Sequence, residues 1–258
     1  MSAPLLRVEG LSREFGGVQA VDALEFEIPE GQVFSIIGPN GAGKTTLLNL
    51  LTGIYAPSAG RIWFGGRELT GRAPHAFAAR GIGRTFQNLQ IFFNMSALEN
   101  VMTGRHCHEA CGLLAAMLRT PARARAERDC RAQALALLEF VGLARYAESA
   151  SDALPYGALK RLEIARALAL EPRLLMLDEP AAGLNPTETG EIDALIQRIL
   201  ARGTTVVLVE HNMKLVMGIS QQLLVLDYGR KLAQGDADTV RRDPRVIEAY
   251  LGSGATED

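Results

Sequence analysis

Disulfide scaffolds, membrane spans and strongly basic surfaces all need residues that this chain holds in short supply. Cysteine occurs three times, at 107, 111 and 130, and never in C-x-x-C spacing. That excludes a disulfide framework and fits a reducing compartment. No apolar run nears the roughly 18 residues that cross a bilayer. The longest runs, Val33–Ile37, Leu174–Leu177 and Thr204–Val209, have the length of core strands. The start of the chain carries Arg7 and Glu9 and no long apolar stretch, so it does not read as a secretory signal. A net charge of −2 supplies no basic field for nucleic acid or an anionic surface. The expectation is a cytosolic chain whose membrane role, if it has one, requires partner chains.

What remains is ordinary globular composition, 48% hydrophobic and 22% charged over 258 residues. That length suits one α/β domain with a smaller inserted lobe. Leu5–Val8, Ala23–Ile28 and Arg61–Phe64 read as short strands of an N-terminal antiparallel layer. Val33–Ile37 is apolar but for Ser35, as suits a buried parallel strand, and a helix over Thr45–Leu51 follows a glycine-rich turn. Helical spacing of Leu113, Leu114, Met117 and Leu118, and of Leu135, Leu138 and Val141, marks an inserted helical lobe over about 94–165. Leu174–Leu177, a helix over Thr187–Arg202 and Thr204–Val209 then return to strand–helix–strand order, which implies right-handed crossovers. Leu223–Leu226 and Lys231–Ala233 form a closing hairpin around Tyr228-Gly229. Residues 236–258 make a C-terminal extension, with Gly252–Asp258 expected to be disordered.

Two clusters admit two readings each. Cys107 and Cys111, flanked by His106 and His108, share a helix face as an incidental cluster or as a zinc site. Arg119, Arg123, Arg125, Arg128 and Arg131 form a solvated helix face or a contact for phosphate or lipid headgroups.

Gly38-Pro39-Asn40-Gly41-Ala42-Gly43-Lys44-Thr45 fits G-x-x-x-x-G-K-[ST], after a buried strand and before a helix. Glycines let the backbone curl so that successive N–H groups face phosphate oxygens, and the helix adds its positive end. Lys44 supplies a mobile charge for the outer phosphates, and the Thr45 hydroxyl suits Mg²⁺. The strand Leu174–Leu177 ends in Asp178 and Glu179. Two carboxylates leaving a buried strand need a cation, and Mg²⁺ on a nucleotide provides one. Asp178 then serves the metal and Glu179 polarises the attacking water. His211 follows another apolar strand and stands at the ligand edge of an open sheet. Gln87 offers a neutral amide to metal or water.

Taken together, these elements resemble an ABC ATPase over nearly the whole chain. The resemblance implies a P-loop NTPase ABC ATPase core of α/β class, with an N-terminal antiparallel layer and an inserted helical lobe. Phe15 matches the aromatic position that stacks on adenine, and Val21 joins it among the nucleotide contacts. Gly38 to Thr46 is Walker A; Gln87 lies in the Q-loop, where it can also serve the metal. Asp178 and Glu179 are Walker B and its catalytic acid, Ala182–Asn185 is the D-loop, and His211 is the switch histidine. Leu154-Pro155-Tyr156-Gly157-Ala158 stands where the family has L-S-G-G-Q. The Gly157 amide therefore remains to meet the nucleotide of an opposite subunit, without the usual serine. Asn185 replaces the usual aspartate.

L-P-Y-G with Arg161–Arg166, Glu179–Pro186, Gly81–Gln87 and the tail Asp243–Gly252 resemble the ATPases of bacterial branched-chain amino-acid importers. That implies ATP and Mg²⁺, a second ATPase chain, two permeases, an external binding protein and the cytoplasmic face of the inner membrane. The apolar flank Leu89, Ile91, Phe92 and Phe93 either packs the helical lobe or receives a permease helix. An ATPase of the same fold for urea, amides or lipid, a non-transport ABC ATPase, and a nucleotide-sensing structural subunit are the rival readings. The chromosome type carries long coiled-coil arms, and no sustained heptads occur here.

Overall fold

The computed structural model describes residues 3–105 and 121–252. The paired cysteines 107 and 111, their flanking histidines, the apolar periodicity over 113–118 and the tail beyond Gly252 lie outside those residues. Among the described residues, no group of three or more His, Cys, Asp or Glu side chains could hold a metal ion by itself. None of the described helices is long and apolar enough to cross a membrane.

Two sheets organise the chain. The first is antiparallel, in the order β2-β1-β4-β5, from β1 (Leu6–Phe15), β2 (Val18–Ile28), β4 (Ala59–Phe64) and β5 (Arg67–Glu68). The first two strands run longer than their apolar alternation indicates. Register shifts between Val8 and Leu11 and between Leu11 and Arg13 break the alternation without breaking the ladder. The second sheet has the order β10-β9-β3-β8-β7-β6. Its strands are β3 (Val33–Ile37), β6 (Ile82–Arg84), β7 (Leu174–Asp178), β8 (Thr205–Val209), β9 (Gln222–Asp227) and β10 (Arg230–Gly235). All neighbours pair in parallel except β10 with β9. β3, β7 and β8 are buried at every position, which is why they read as runs that are mostly apolar, with Ser35, Asp178 and Thr205 the buried polar exceptions.

Nine described helices surround the sheets: α1 (Lys44–Leu51), α2 (Pro74–Ala78), α3 (Ala97–Gly104), α4 (Pro121–Phe140), α5 (Tyr156–Leu168), α6 (Pro186–Ala201), α7 (Met213–Ile219), α8 (Ala237–Arg242) and α9 (Pro244–Gly252). Ser96 with Glu99 opens α3, and Asn185 with Glu188 opens α6, each as a reciprocal capping box. One core cluster joins the antiparallel layer to the large sheet through residues such as Leu6, Ile28, Phe34 and Leu47. A second packs α3 to α6 on the sheet's other face. A third docks the C-terminal helices against Ile37 and Val216. Arg125, Arg128 and Arg131 are exposed on α4, and Arg131 reaches Glu148 at 2.5 Å. Arg119 lies outside the described residues.

Candidate nucleotide site

The P-loop connects β3 to α1 and is wedged between β2 and the β9–β10 turn. A Cβ on Gly43, at φ 96°, would lie 2.5 Å from the Ala20 carbonyl oxygen; one on Gly38 would lie 2.2 Å from that of Leu226. Neither position has room for a side chain, so the pattern's glycines answer to close backbone approach as well as to conformation. Ala42 accepts a hydrogen bond from the Gly229 N–H at 3.1 Å, which ties the loop to the turn. The C-terminal helix reaches the same loop: the Tyr250 hydroxyl bonds the Gly38 backbone, and burial pushes this phenol up to about 12.

Lys44 is almost fully buried and folds back onto its own loop, donating to the Gly38 carbonyl at 2.7 Å and the Pro39 carbonyl at 2.8 Å. Burial lowers the affinity of its ammonium for the proton, and the carboxylates of Glu179 and Asp178 oppose that shift. An ammonium held by two carbonyls is positioned without a fixed counter-ion, ready for an anion.

Asn40 to Thr46 form one wall of a cleft of about 400 Å³, and Gln87, Glu179 and His211 close it. Three separate elements therefore deliver the three polar side chains expected at one place. Glu179 stands just beyond β7, with its N–H donating to the Val209 carbonyl at 2.8 Å. Its φ of 49° lies in the left-handed region, a strained conformation for a non-glycine residue. The carboxylate accepts from His211 Nε2 at 2.8 Å on one oxygen and from Gln87 Nε2 at 3.2 Å on the other. With a carboxylate as acceptor, the imidazole carries its hydrogen on Nε2.

Asp178 sits one residue inward and does not line the cleft. It is 2% exposed and ion-paired to Arg84 at 3.0 Å. Burial raises its carboxyl above the ordinary 3.8, and the Arg84 charge and hydrogen bond pull it down.

Phe15 is 38% exposed beside the cleft, with Arg13 stacked 4.5 Å from its ring centre and Tyr55 against its edge. Val21, expected among the nucleotide contacts, is fully buried in the core. The β2 ladder is irregular between Val21 and Leu24, with Ala23 at φ 46°, so both are buried; Val18, Gln19 and Ala20 line the cleft instead. Gly157 also lies outside the cleft, at the start of α5, where a Cβ would meet the Glu188 carboxylate at 2.5 Å.

Several participants went unrecognised in the sequence. Glu210 is buried and accepts from the N–H groups of Ala181 at 2.7 Å and His211 at 3.0 Å, bracketing the D-loop to the switch histidine. Lys160 reaches from α5 to the carbonyls of Gln87 and Glu179 at 3.5 and 3.4 Å. Glu163, on the same helix, accepts from the Phe86 N–H at 3.1 Å. An acid next to His211 at a strand end and charges inside an otherwise apolar helix were the available signals.

Comparison with known proteins identifies the family. The family model described as "ABC transporter" matches residues 21–182. That described as "Branched-chain amino acid ATP-binding cassette transporter" matches residues 230–256. The high-affinity branched-chain amino acid transport ATP-binding protein BraF of Pseudomonas aeruginosa is 47% identical over 253 residues, covering 98% of this chain and 99% of BraF. The corresponding LivG of Escherichia coli K12 is 45% identical with the same coverage of each chain. Among solved structures, a nucleotide-free ATP-binding cassette from an ABC transporter superposes with a TM-score of 0.85 at 31% identity, over 96% of this chain and 99% of its own. The ADP conformation of the cassette MJ1267 gives 0.84 at 31% identity, over 97% and 100%. This chain belongs to the ABC transporter family and is one of its nucleotide-binding, ATP-hydrolysing cassettes.

Proposed function

We propose that this chain is the ATPase subunit that drives an importer of branched-chain amino acids from the cytoplasmic face of the bacterial inner membrane. The observation carrying this reading is the full-length similarity to BraF, joined to a branched-chain-specific match over residues 230–256.

ATP enters the cleft with its phosphates on the loop amides. Lys44 leaves the Gly38 and Pro39 carbonyls for the outer phosphates. The Thr45 hydroxyl, the Gln87 amide and the Asp178 carboxylate are hard oxygen donors, a set that fits Mg²⁺ shared with phosphate oxygens rather than held by protein alone. When bound, the ion neutralises charge on the β- and γ-phosphates. Glu179 orients the attacking water and takes its proton as the bond to the ADP oxygen breaks. His211 and Gln87 hold the two oxygens of that carboxylate in place. A second ATPase chain supplies its Gly157 amide and the N-terminus of its α5 to the same ATP, so the γ-phosphate decides whether the pair stays closed.

Two permeases and an external binding protein complete the assembly. A groove of about 640 Å³ opens beside the Q-loop, lined by Phe77, Phe86, Leu89, Ile91 and Phe92 among others. Ile91 belongs to the core of the helical lobe, whereas Phe92 and Phe93 are about half exposed. Phe92 is thus the groove residue of that flank most open to a permease helix; Leu89 also lines the groove while packing partly against the lobe's core.

Uptake of labelled leucine by cells lacking this chain tests the cargo. Loss of leucine import, restored by the wild-type chain and not by Lys44→Ala, is expected. Normal leucine import with lost import of urea, amides or lipid would replace the cargo and leave the ATPase in place.

A further inference from the structure

Arg84 ends β6, the edge strand of the large sheet, and its guanidinium turns inward rather than toward water. Nη2 donates to Asp178 Oδ2 at 3.0 Å. Nη1 donates to Asn49 Oδ1 at 2.6 Å and to the Thr52 hydroxyl at 3.2 Å, both on or just beyond α1. Nε donates to the Thr85 carbonyl at 3.2 Å, and the Phe86 ring lies 5.0 Å from the guanidinium carbon. The side chains of Arg84 and Asp178 are 6% and 2% exposed. The Thr85 hydroxyl, next along the chain, accepts from the Asp178 N–H at 3.2 Å.

Burying a guanidinium and a carboxylate together is a poor way to gain stability, because desolvation offsets most of the attraction. What such a pair provides is orientation. A planar guanidinium anchored on α1 and on the adjacent Thr85 carbonyl restricts the pose of the carboxylate to which its Nη2 donates. Arg84 occupies Oδ2, leaving Oδ1 as the oxygen not claimed by the arginine. Its other anchors, Asn49 and Thr52, belong to the helix that begins at Lys44 and Thr45. The P-loop helix and the Asp178 carboxylate are therefore held at a fixed spacing by one side chain.

We infer that Arg84 is a positioning residue that presents the Asp178 carboxylate to the metal side of the nucleotide and locks it in register with α1. The inference rests on reading Asp178 as the acid that serves Mg²⁺. It separates the nucleotide's own affinity, which belongs to the P-loop, from the gain that Mg²⁺ adds, which depends on Asp178 being correctly turned.

Binding of a fluorescent ATP analogue to the full-length chain, measured with Mg²⁺ and with a chelator instead, tests it. The readout is the ratio of the two dissociation constants. For Arg84→Met, affinity in the chelator stays within about twofold of wild type, while the gain from Mg²⁺ falls about tenfold. Arg84→Lys keeps a cation beside Asp178 without the fork and gives an intermediate ratio. An unchanged or larger Mg²⁺ gain in Arg84→Met overturns the inference, as does an equal loss with and without the ion. Should Arg84→Met fail to fold, Arg84→Lys carries the same decision: a reduced ratio supports the inference and a wild-type ratio overturns it. Asp178→Ala separates the two levels. If it loses the Mg²⁺ gain while Arg84→Met keeps it, only the role of Arg84 falls. If Asp178→Ala keeps the gain, the reading of Asp178 falls and the role of Arg84 falls with it.

Discussion

The imidazole Nε2 of His211 lies 2.8 Å from the Glu179 carboxylate, although the two residues leave different strands of the sheet. β7 and β8 are parallel neighbours, with Asp178 opposite Val209, so side chains just past their ends converge. That adjacency holds the carboxylate of Glu179, the proposed base, in place. Replacing it with Gln keeps the shape and removes the proton acceptor. Glu179→Gln should lower ATP turnover by about 10²–10⁴-fold. With ATP it should also elute from a sizing column as a closed pair, provided the partner chain is present. Turnover near wild type would remove Glu179 from the chemistry.

Lys44 is the second test. Its ammonium is held by two loop carbonyls, and among the described residues lining the cleft it is the one lysine or arginine. Lys44→Ala should abolish hydrolysis and weaken ATP binding, measured by phosphate release and by titration with a labelled nucleotide. Undiminished turnover would contradict the site.

Glu210 accepts from the buried Ala181 N–H beside the D-loop and from the half-buried N–H of His211. Glu210→Ala leaves those donors unsatisfied, at a cost of about 1–3 kcal/mol. Denaturant unfolding should show that loss, and turnover should fall because His211 is no longer anchored. Full stability in Glu210→Ala would show that the bracket is unimportant.

Glu163 makes the protein's stability respond to pH. Burial raises its carboxyl above the ordinary 4.5, opposed by the Phe86 N–H and by Lys160 and Arg166. The folded chain therefore binds this proton more tightly than the unfolded chain does. The stability it contributes is fully present below the ordinary value and is lost as pH rises through the raised one. Glu163→Gln removes that dependence. Its melting temperature relative to wild type should climb as pH rises from about 4.5 toward neutrality. A constant difference across that range would place the titration elsewhere.

Leu89 and Phe92 carry the groove prediction. Leu89→Glu or Phe92→Glu should leave the basal ATPase of the isolated chain unchanged and abolish its stimulation by the assembled permeases. Full stimulation would move the permease contact to another surface.

Most of the architecture was legible because its signals are local. A mostly apolar strand, a glycine-rich turn and a helix mark the P-loop wherever they occur, and β7 and β8 showed themselves as mostly apolar runs. The small strand β6 was read only as part of a motif, since Ile82–Arg84 is too short to show a period. The lengths of β1 and β2 were hidden by register shifts that interrupt the alternation. Arg84, Lys160 and Glu163 were missed because each is a charge whose decisive partner lies far along the chain, and Glu210 because its bond to the Ala181 N–H appears only in the assembled fold. Val21, expected at the nucleotide, is buried in the core, beside an irregularity in β2 that the sequence pattern does not show. Asn185 gained an account only from the structure, as the N-cap of α6.

The most direct test of the whole account is affinity isolation of the tagged chain from native membranes, with its co-purifying chains identified. Two polytopic permeases and a second ATPase are the predicted result. Recovery of no membrane protein, or of DNA-associated chains instead, would contradict the transport reading while leaving the ATPase chemistry in place.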